Sequence, residues 1–267
     1  MTATRTATTE NFPVASWLLK PAVRAPIMAF YRFARTGDDI ADGSELPAKR
    51  LDRLAAMART VAGEDDADPV SLALRQTLTE RGLDARHALD LLAAFTRDVA
   101  TPRTATYDDL LAYCSKSAMP VGRFVLDVHG ENRVTWPASD ALCAALQIIN
   151  HLQDCGKDFR DMDRVYIPDD MLQAAGLDAS VLGANQSPLA LLGVVRDLAA
   201  RCAELLARSR PFAAMLRDRR LAAEVRVIQR LAEDLTYELA RRDPVAERVV
   251  HSNRRRAWLA LGAVLGR

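Results

Sequence analysis

Apolar residues recur along most of this chain at the three- and four-residue spacing of a helix that buries one face. That spacing predicts amphipathic helices over residues 44–62, 69–81 and 85–99, the last two separated at Gly82. Another is predicted over 107–117, with Thr106 as its N-cap. Two longer helices, over 188–208 and 211–241, carry Arg and Glu on their outer faces, and residues 172–187 read as a loop or short helix. The front half of the 140–158 segment, ALCAALQII, is apolar on nearly all sides, as expected of a helix surrounded by others. An earlier helix follows Pro21 and Pro26, reaches Asp42 and stops at Gly43. Strand-like alternation is scarce and no fixed-period repeat is visible, so the chain reads as all-α.

Some positions interrupt this pattern. Pro120 and Gly122 sit inside an apolar helical stretch, where proline breaks or kinks a helix; the break marks either a cavity wall or an ordinary boundary between two helices. Gly63-Glu64-Asp65-Asp66 reads as an acidic, solvated turn, Asp108 and Asp109 as capping residues, and His87 as a surface helix residue without a role. The Thr-rich opening, residues 1–10, lacks a hydrophobic signal core and reads as a disordered tail, which leaves 11–267 as one domain. Residues 11–19 form an entry segment anchored by Phe12, Trp17 and Leu18. The end, Arg254-Arg255-Arg256-Ala257-Trp258-Leu259-Ala260-Leu261, is basic and then apolar. It rests on an anionic membrane surface or packs on the body of the protein.

Composition narrows the classes. With 267 residues, 49% of them hydrophobic and only 12 Gly and 12 Pro, the chain can build one large helical core. A net charge of +1 makes a nucleic-acid partner a poor expectation. The four cysteines are scattered without C-x-x-C spacing, so zinc and a disulfide framework are not indicated, and a reduced cytosol fits. No run of about 18 apolar residues predicts a transmembrane helix. Glycine-rich phosphate loops are absent, which argues against a Rossmann-type nicotinamide site.

The chemistry is concentrated in two places. In NHLQDCGKDFRDMDRVYIP, residues Asn150, Asp154 and Asp158 follow one another at four-residue intervals. On a helix they form an oxygen-bearing ladder along roughly 12 Å of one face. Stacked carboxylates repel unless a cation lies among them, and such oxygens suit Mg²⁺, which readily shares itself with substrate phosphates. Alone, such a ladder is most simply a solvated helix face. A second cluster changes the weighing: in YRFARTGDDIAD, Asp38 and Asp42 are again four apart, with Tyr31 and Arg35 ahead of them. Two such helices face to face would make an acidic basin for a metal-bound diphosphate, with Arg35 and Arg164 gripping phosphate oxygens.

The YRFARTGDDIAD, YCSKSAMPVGR and NHLQDCGKDFRDMDRVYIP blocks, in this order, resemble the squalene/phytoene synthase family across residues 11–241. The resemblance implies an isoprenoid synthase fold with helices around a central apolar channel. It implies Mg²⁺ and a prenyl diphosphate held by Asp38, Asp42, Asn150, Asp154 and Asp158. It makes Arg35, Ser117, Val121, Gly122, Gln153, Lys157 and Arg164 substrate-binding residues, and Tyr31, Tyr113 and Tyr166 the catalytic candidates. A phenol can orient water and can also face a cation with its ring.

ENFPVASWLL and SAMPVGR resemble the bacterial hopanoid-pathway branch, which takes presqualene diphosphate, expels diphosphate and adds water. That implies functional coupling to a synthase supplying presqualene diphosphate. Gln153 and Lys157 depart from the phytoene and squalene synthase pattern of Arg and an acidic residue at those places, which puts simple transfer of the two-substrate condensation in doubt. Two other readings stand beside this one: a head-to-head synthase making presqualene diphosphate, squalene or phytoene, and a catalytically silent scaffold. Intact ladders argue against the scaffold, which has no reason to tolerate their repulsion.

Overall fold

A computed structural model describes residues 21–264, so the expected tail and the Phe12–Leu18 anchors lie outside the described residues. The helices are α1 (Pro21–Ala41), α2 (Pro47–Ala62), α3 (Pro69–Arg81), α4 (Arg86–Ala100), α5 (Tyr107–Ser117), α6 (Met119–Val128), α7 (Trp136–Met162), α8 (Asp169–Ala174), α9 (Leu189–Ser209), α10 (Phe212–Met215), α11 (Arg219–Leu239) and α12 (Asn253–Val264). Two short 3-10 turns, Arg133–Thr135 and Ala179–Gly183, complete the regular structure. No β-strand occurs among the described residues; a single parallel bridge joins Arg103 to Val165.

The core has two connected halves. In one, Phe30 and Phe33 of α1 pack with Leu54, Leu74, Leu91 and Phe124 from α2, α3, α4 and α6. The Phe30 and Phe124 rings stack with centroids 4.0 Å apart, a pairing worth about 0.5–1.5 kcal/mol beyond area burial. The other half surrounds α7, whose Ala144, Ala145, Ile148 and Ile149 are fully buried against α9 and α11. The apolar-all-round stretch is thus the central helix, and it is longer than its sequence suggested.

Several ends follow local chemistry. Thr106 caps α5 by accepting from the Asp109 amide, and Asp109 accepts in turn from the Ala105 amide and from Arg97. Gly63 and Gly82 close α2 and α3 in the left-handed conformation, at φ 89° and 61°. The break near Pro120 falls at Ala118, between α5 and α6, with the proline in the first turn of α6 where its missing N–H costs nothing.

Three expectations are corrected. The single helix over 211–241 is broken: Leu216 is extended, Asp218 caps α11 through the Arg220 and Leu221 amides, and buried Glu131 accepts from the Arg217 and Asp218 amides. His87 is not a surface residue; it is 5% exposed, with Nε2 3.0 Å from Asp127 Oδ2. Asp65 is not merely solvated, since it accepts from Thr60, Arg59 and the Ala67 amide and so ties the turn to α2.

Candidate active site

The two ladders lie on α1 and α7 and face a shared mouth. Arg164, just past the end of α7, donates from Nη1 to Asp42 Oδ1 at 2.8 Å and so links the second ladder's helix to the first. Asp163 makes this reach possible: it closes α7 in the left-handed conformation, at φ 52°, which Asp tolerates better than most residues. Arg103 grips both its carbonyl and its carboxylate. The chain then runs beside the α4–α5 loop, with the Val165 amide donating to the Pro102 carbonyl (2.8 Å) and the Asp169 amide to the Thr104 carbonyl (2.9 Å). Arg164 and Tyr166 are therefore set by backbone pairing as well as by their own contacts.

Arginine accompanies the carboxylates. Arg35 donates to Asp38 at 2.8 Å and to Asp39 at 2.6 Å. Arg248, from the segment between α11 and α12, forms a two-pronged pair with Asp154: Nε to Oδ1 at 2.6 Å and Nη2 to Oδ2 at 3.0 Å. Positive charge is still short. Burial, and then the charge of Asp42, pushes Asp38 up to about 7. Burial and Asp154 push Asp158 up to about 7 as well, with Asp42 contributing across the mouth. That cross-mouth influence is the electrostatic mark of two ladders facing each other.

Beneath the mouth lies a polar cluster. Buried Asp98 of α4 accepts from Tyr113 at 2.7 Å and from Tyr166 at 2.9 Å. Its carboxyl is raised by burial, against the opposing pull of Arg164 and the two phenols. Burial and anionic neighbours raise both phenols well above their ordinary value, so each stays a neutral O–H donor. His151 stacks on Tyr166 with centroids 3.5 Å apart, and its Nε2 lies 3.1 Å from Gln147 Nε2. Burial and then Arg164 bring His151 down to about 3, so its ring is neutral.

The other nominated residues are placed as follows. Tyr31 is half-buried on α1, one turn ahead of Arg35, and Asn150 is half-buried on α7, one turn ahead of Asp154. Ser117 Oγ is buried without a hydrogen-bond partner among the described residues. Val121 is 38% exposed. Gly122 is the contact point of α6 on α7, where an added Cβ would stand 2.5 Å from Cys143 Sγ. Gln153 is buried and donates to the Val249 carbonyl, while Lys157 pairs with Asp161 at 3.0 Å on the surface.

Sequence reasoning missed Asp98, His151 and Arg248. Asp98 extends the buried α4 stripe of Leu91 and Ala94, and a carboxylate on an apolar face was its available signal. Gln147 and His151, four apart beside the buried Ile148–Ile149 stretch of α7, offered a similar one. Nothing local marks Arg248. A concavity of about 190 Å³ between α9, α11 and α12, lined by Arg210, Arg226 and Glu233, shares no residue with the ladders.

Fold and site together define an all-α isoprenoid-synthase bundle with an acidic mouth braced by arginines. The chain belongs to the squalene/phytoene synthase family, whose model matches residues 5–256. It is 51% identical to a hydroxysqualene synthase of Zymomonas mobilis over 263 residues, covering 97% of this chain and 88% of that one. It is 52% identical to a hydroxysqualene synthase of Rhodopseudomonas palustris over 241 residues, covering 90% and 82%. Among solved structures, a squalene synthase of Alicyclobacillus acidocaldarius superposes with a TM-score of 0.74 at 29% identity, covering 88% of this chain and 90% of that one.

Proposed function

We propose that this protein is an enzyme that converts presqualene diphosphate and water into hydroxysqualene and diphosphate. The observation that carries the reading is the near-full-length identity of about half to the two hydroxysqualene synthases. The facing ladders and the neutral Tyr113–Asp98–Tyr166 cluster beneath them give it a mechanism.

The donor set fits Mg²⁺. Asp38, Asp42, Asn150, Asp154 and Asp158 offer hard oxygens, and a divalent cation beside Asp38 and Asp158 would offset the burial and carboxylate crowding that raise them. Among the described residues no three acidic, His or Cys side chains are gathered closely enough to hold an ion alone. When bound, Mg²⁺ would supply charge to the departing diphosphate.

The protein's own residues do the rest. Arg35 and Arg164, already paired with the first ladder, are the groups that would donate to diphosphate oxygens, with the Ser117 hydroxyl as a further donor to the substrate. The C–O bond breaks with its electron pair leaving on diphosphate, and a cyclopropylcarbinyl cation remains, which apolar surroundings must keep from bulk water. It rearranges; a water lone pair then forms the new C–O bond and a proton is released to solvent. Tyr31, Tyr113 and Tyr166 are the groups that position this water and face the cation with their rings. Because Asp98 fixes two of those phenols, they need not reorganise as charge develops.

A condensing synthase acting earlier must supply the presqualene diphosphate. No helix among the described residues is long and apolar enough to cross a membrane. The C-terminal helix α12 packs on the body of the protein through buried Leu259 and Ala263, and Arg255 pairs with Asp234; exposed Trp258, Leu261 and Arg254 on its outer side support peripheral contact with an anionic membrane surface.

Product analysis with Mg²⁺ and no nicotinamide cofactor tests the reading. Presqualene diphosphate should yield hydroxysqualene and farnesyl diphosphate should yield nothing. Presqualene diphosphate formed from farnesyl diphosphate would make it a condensing synthase instead. Asp38→Asn and Asp154→Asn should each abolish turnover with helical circular dichroism intact; wild-type-like activity in both would sink the basin.

A further inference from the structure

The segment between α11 and α12 is fastened to α7 where the second ladder begins. Gln153, 2% exposed, donates its amide to the Val249 carbonyl, and the next residue, Asp154, takes the fork of Arg248. Adjacent residues on α7 thus hold adjacent residues of the segment, one by its backbone and one by its charge. Both ends of the segment are pinned as well. Asp243 accepts from the Ser187 amide at 2.7 Å and from its hydroxyl at 2.5 Å, and His251 Nε2 lies 2.9 Å from Asp234 Oδ2.

We propose that Arg248 is a binding residue for the substrate's diphosphate, presented at the Asp154 end of the mouth by the Gln153–Val249 bond; this rests on the reading of the mouth as a diphosphate site. Three features support it. First, the Asp154 side chain is 10% exposed while that of Arg248 is 42% exposed, so the guanidinium forms the outer, solvent-facing side of the pair. Second, the bonds to Asp154 use Nε and Nη2, and a guanidinium carries two further N–H donors on Nη1. A planar fork already fixed on a carboxylate loses little freedom when its other edge meets a phosphate oxygen. Third, the other two mouth arginines stand in the same relation to the first ladder, Arg35 on Asp38 and Arg164 on Asp42. Arg248 brings a like charge to the second ladder from a distant part of the chain. Gln153, buried and turned toward Val249, is then a positioning residue that acts through Arg248 and not a direct substrate ligand.

Calorimetric titration of inorganic diphosphate into the purified full chain with Mg²⁺ tests this, alongside titration of Mn²⁺ alone. Arg248→Gln should weaken diphosphate binding about tenfold or more and leave Mn²⁺ binding no weaker, because it removes a competing cation from Asp154. Arg248→Lys, which keeps the charge and loses the fork, should fall between. Gln153→Leu, which changes no charge, should weaken diphosphate binding about threefold in the wild-type background and not at all on top of Arg248→Gln. Diphosphate affinity within twofold of wild type in folded Arg248→Gln, or in Arg248→Lys and Gln153→Leu together should Arg248→Gln not fold, overturns the proposal. Parallel loss of Mn²⁺ binding overturns it too, by reducing Arg248 to a structural brace. Failure of the wild-type chain to bind magnesium diphosphate would instead overturn the diphosphate mouth itself.

Discussion

Replacing Gly122 with alanine asks whether that residue serves substrate or packing. The added Cβ would stand 2.5 Å from Cys143 Sγ and 2.7 Å from Ser139 Oγ, both on α7. Carbon in ordinary contact lies about 3.5–4.0 Å from its neighbours, so α6 and α7 must part by about 1 Å or those side chains must turn. Ser139 is 1% exposed and has little room to turn. Overpacking of this kind costs about 1–3 kcal/mol, and two short contacts put this site in the upper half of that range. Alanine for glycine within a helix returns about 1 kcal/mol. The net loss is then about 1–2 kcal/mol, a fall in Tm of about 2–8 °C for a chain of this size. Thermal denaturation followed by helical circular dichroism reads it. The decisive control is Ser139→Ala with Cys143→Ala, which removes both obstructing atoms. In that background Gly122→Ala should become neutral or stabilising by about 1 kcal/mol. A raised Tm in the wild-type background, or the same fall in both, would refute the packing account.

Other outcomes follow from the same structure. Tyr113→Phe and Tyr166→Phe each remove one of the two phenols on buried Asp98 and should cost about 1–3 kcal/mol. Urea denaturation should show the double variant to be non-additive, and strict additivity would mean the phenols do not share Asp98. Asp38 and Asp158, at about 7 in the folded chain against the usual 3.8, bind protons on folding. Their contribution is complete below about pH 4 and is lost as pH rises through about 7. Without divalent cation the Tm of the wild type, measured against Asp38→Asn/Asp158→Asn, should fall from pH 5 to pH 8. Added Mg²⁺ should reduce that fall, and a rise over the same range without metal would contradict the charge balance.

The parts of the site legible in the sequence were those with local periodicity. The ladders are i, i+4 patterns on helices, and helix geometry alone puts Asp38 with Asp42 and Asp154 with Asp158 on shared faces. The all-α class followed from the same spacing. What escaped was tertiary. The break at 216–218 depends on Glu131, 86 residues away from the Arg217 amide it holds, though Asp218 ahead of a helical run was a readable cap. His87 looked like a surface residue because its acceptor, Asp127, is 40 positions distant. Arg248 meets Asp154 across 94 positions, at the end of a segment with no pattern of its own.

The central claim is capture of a substrate-derived cation by water, and an isotope tests it most directly. Purified protein with Mg²⁺ would turn over presqualene diphosphate in ¹⁸O-enriched water, and the alcohol product would be weighed by mass spectrometry. The account predicts one solvent-derived oxygen in each molecule of hydroxysqualene. A product whose oxygen comes from the diphosphate, or turnover to a hydrocarbon with no oxygen at all, would contradict it.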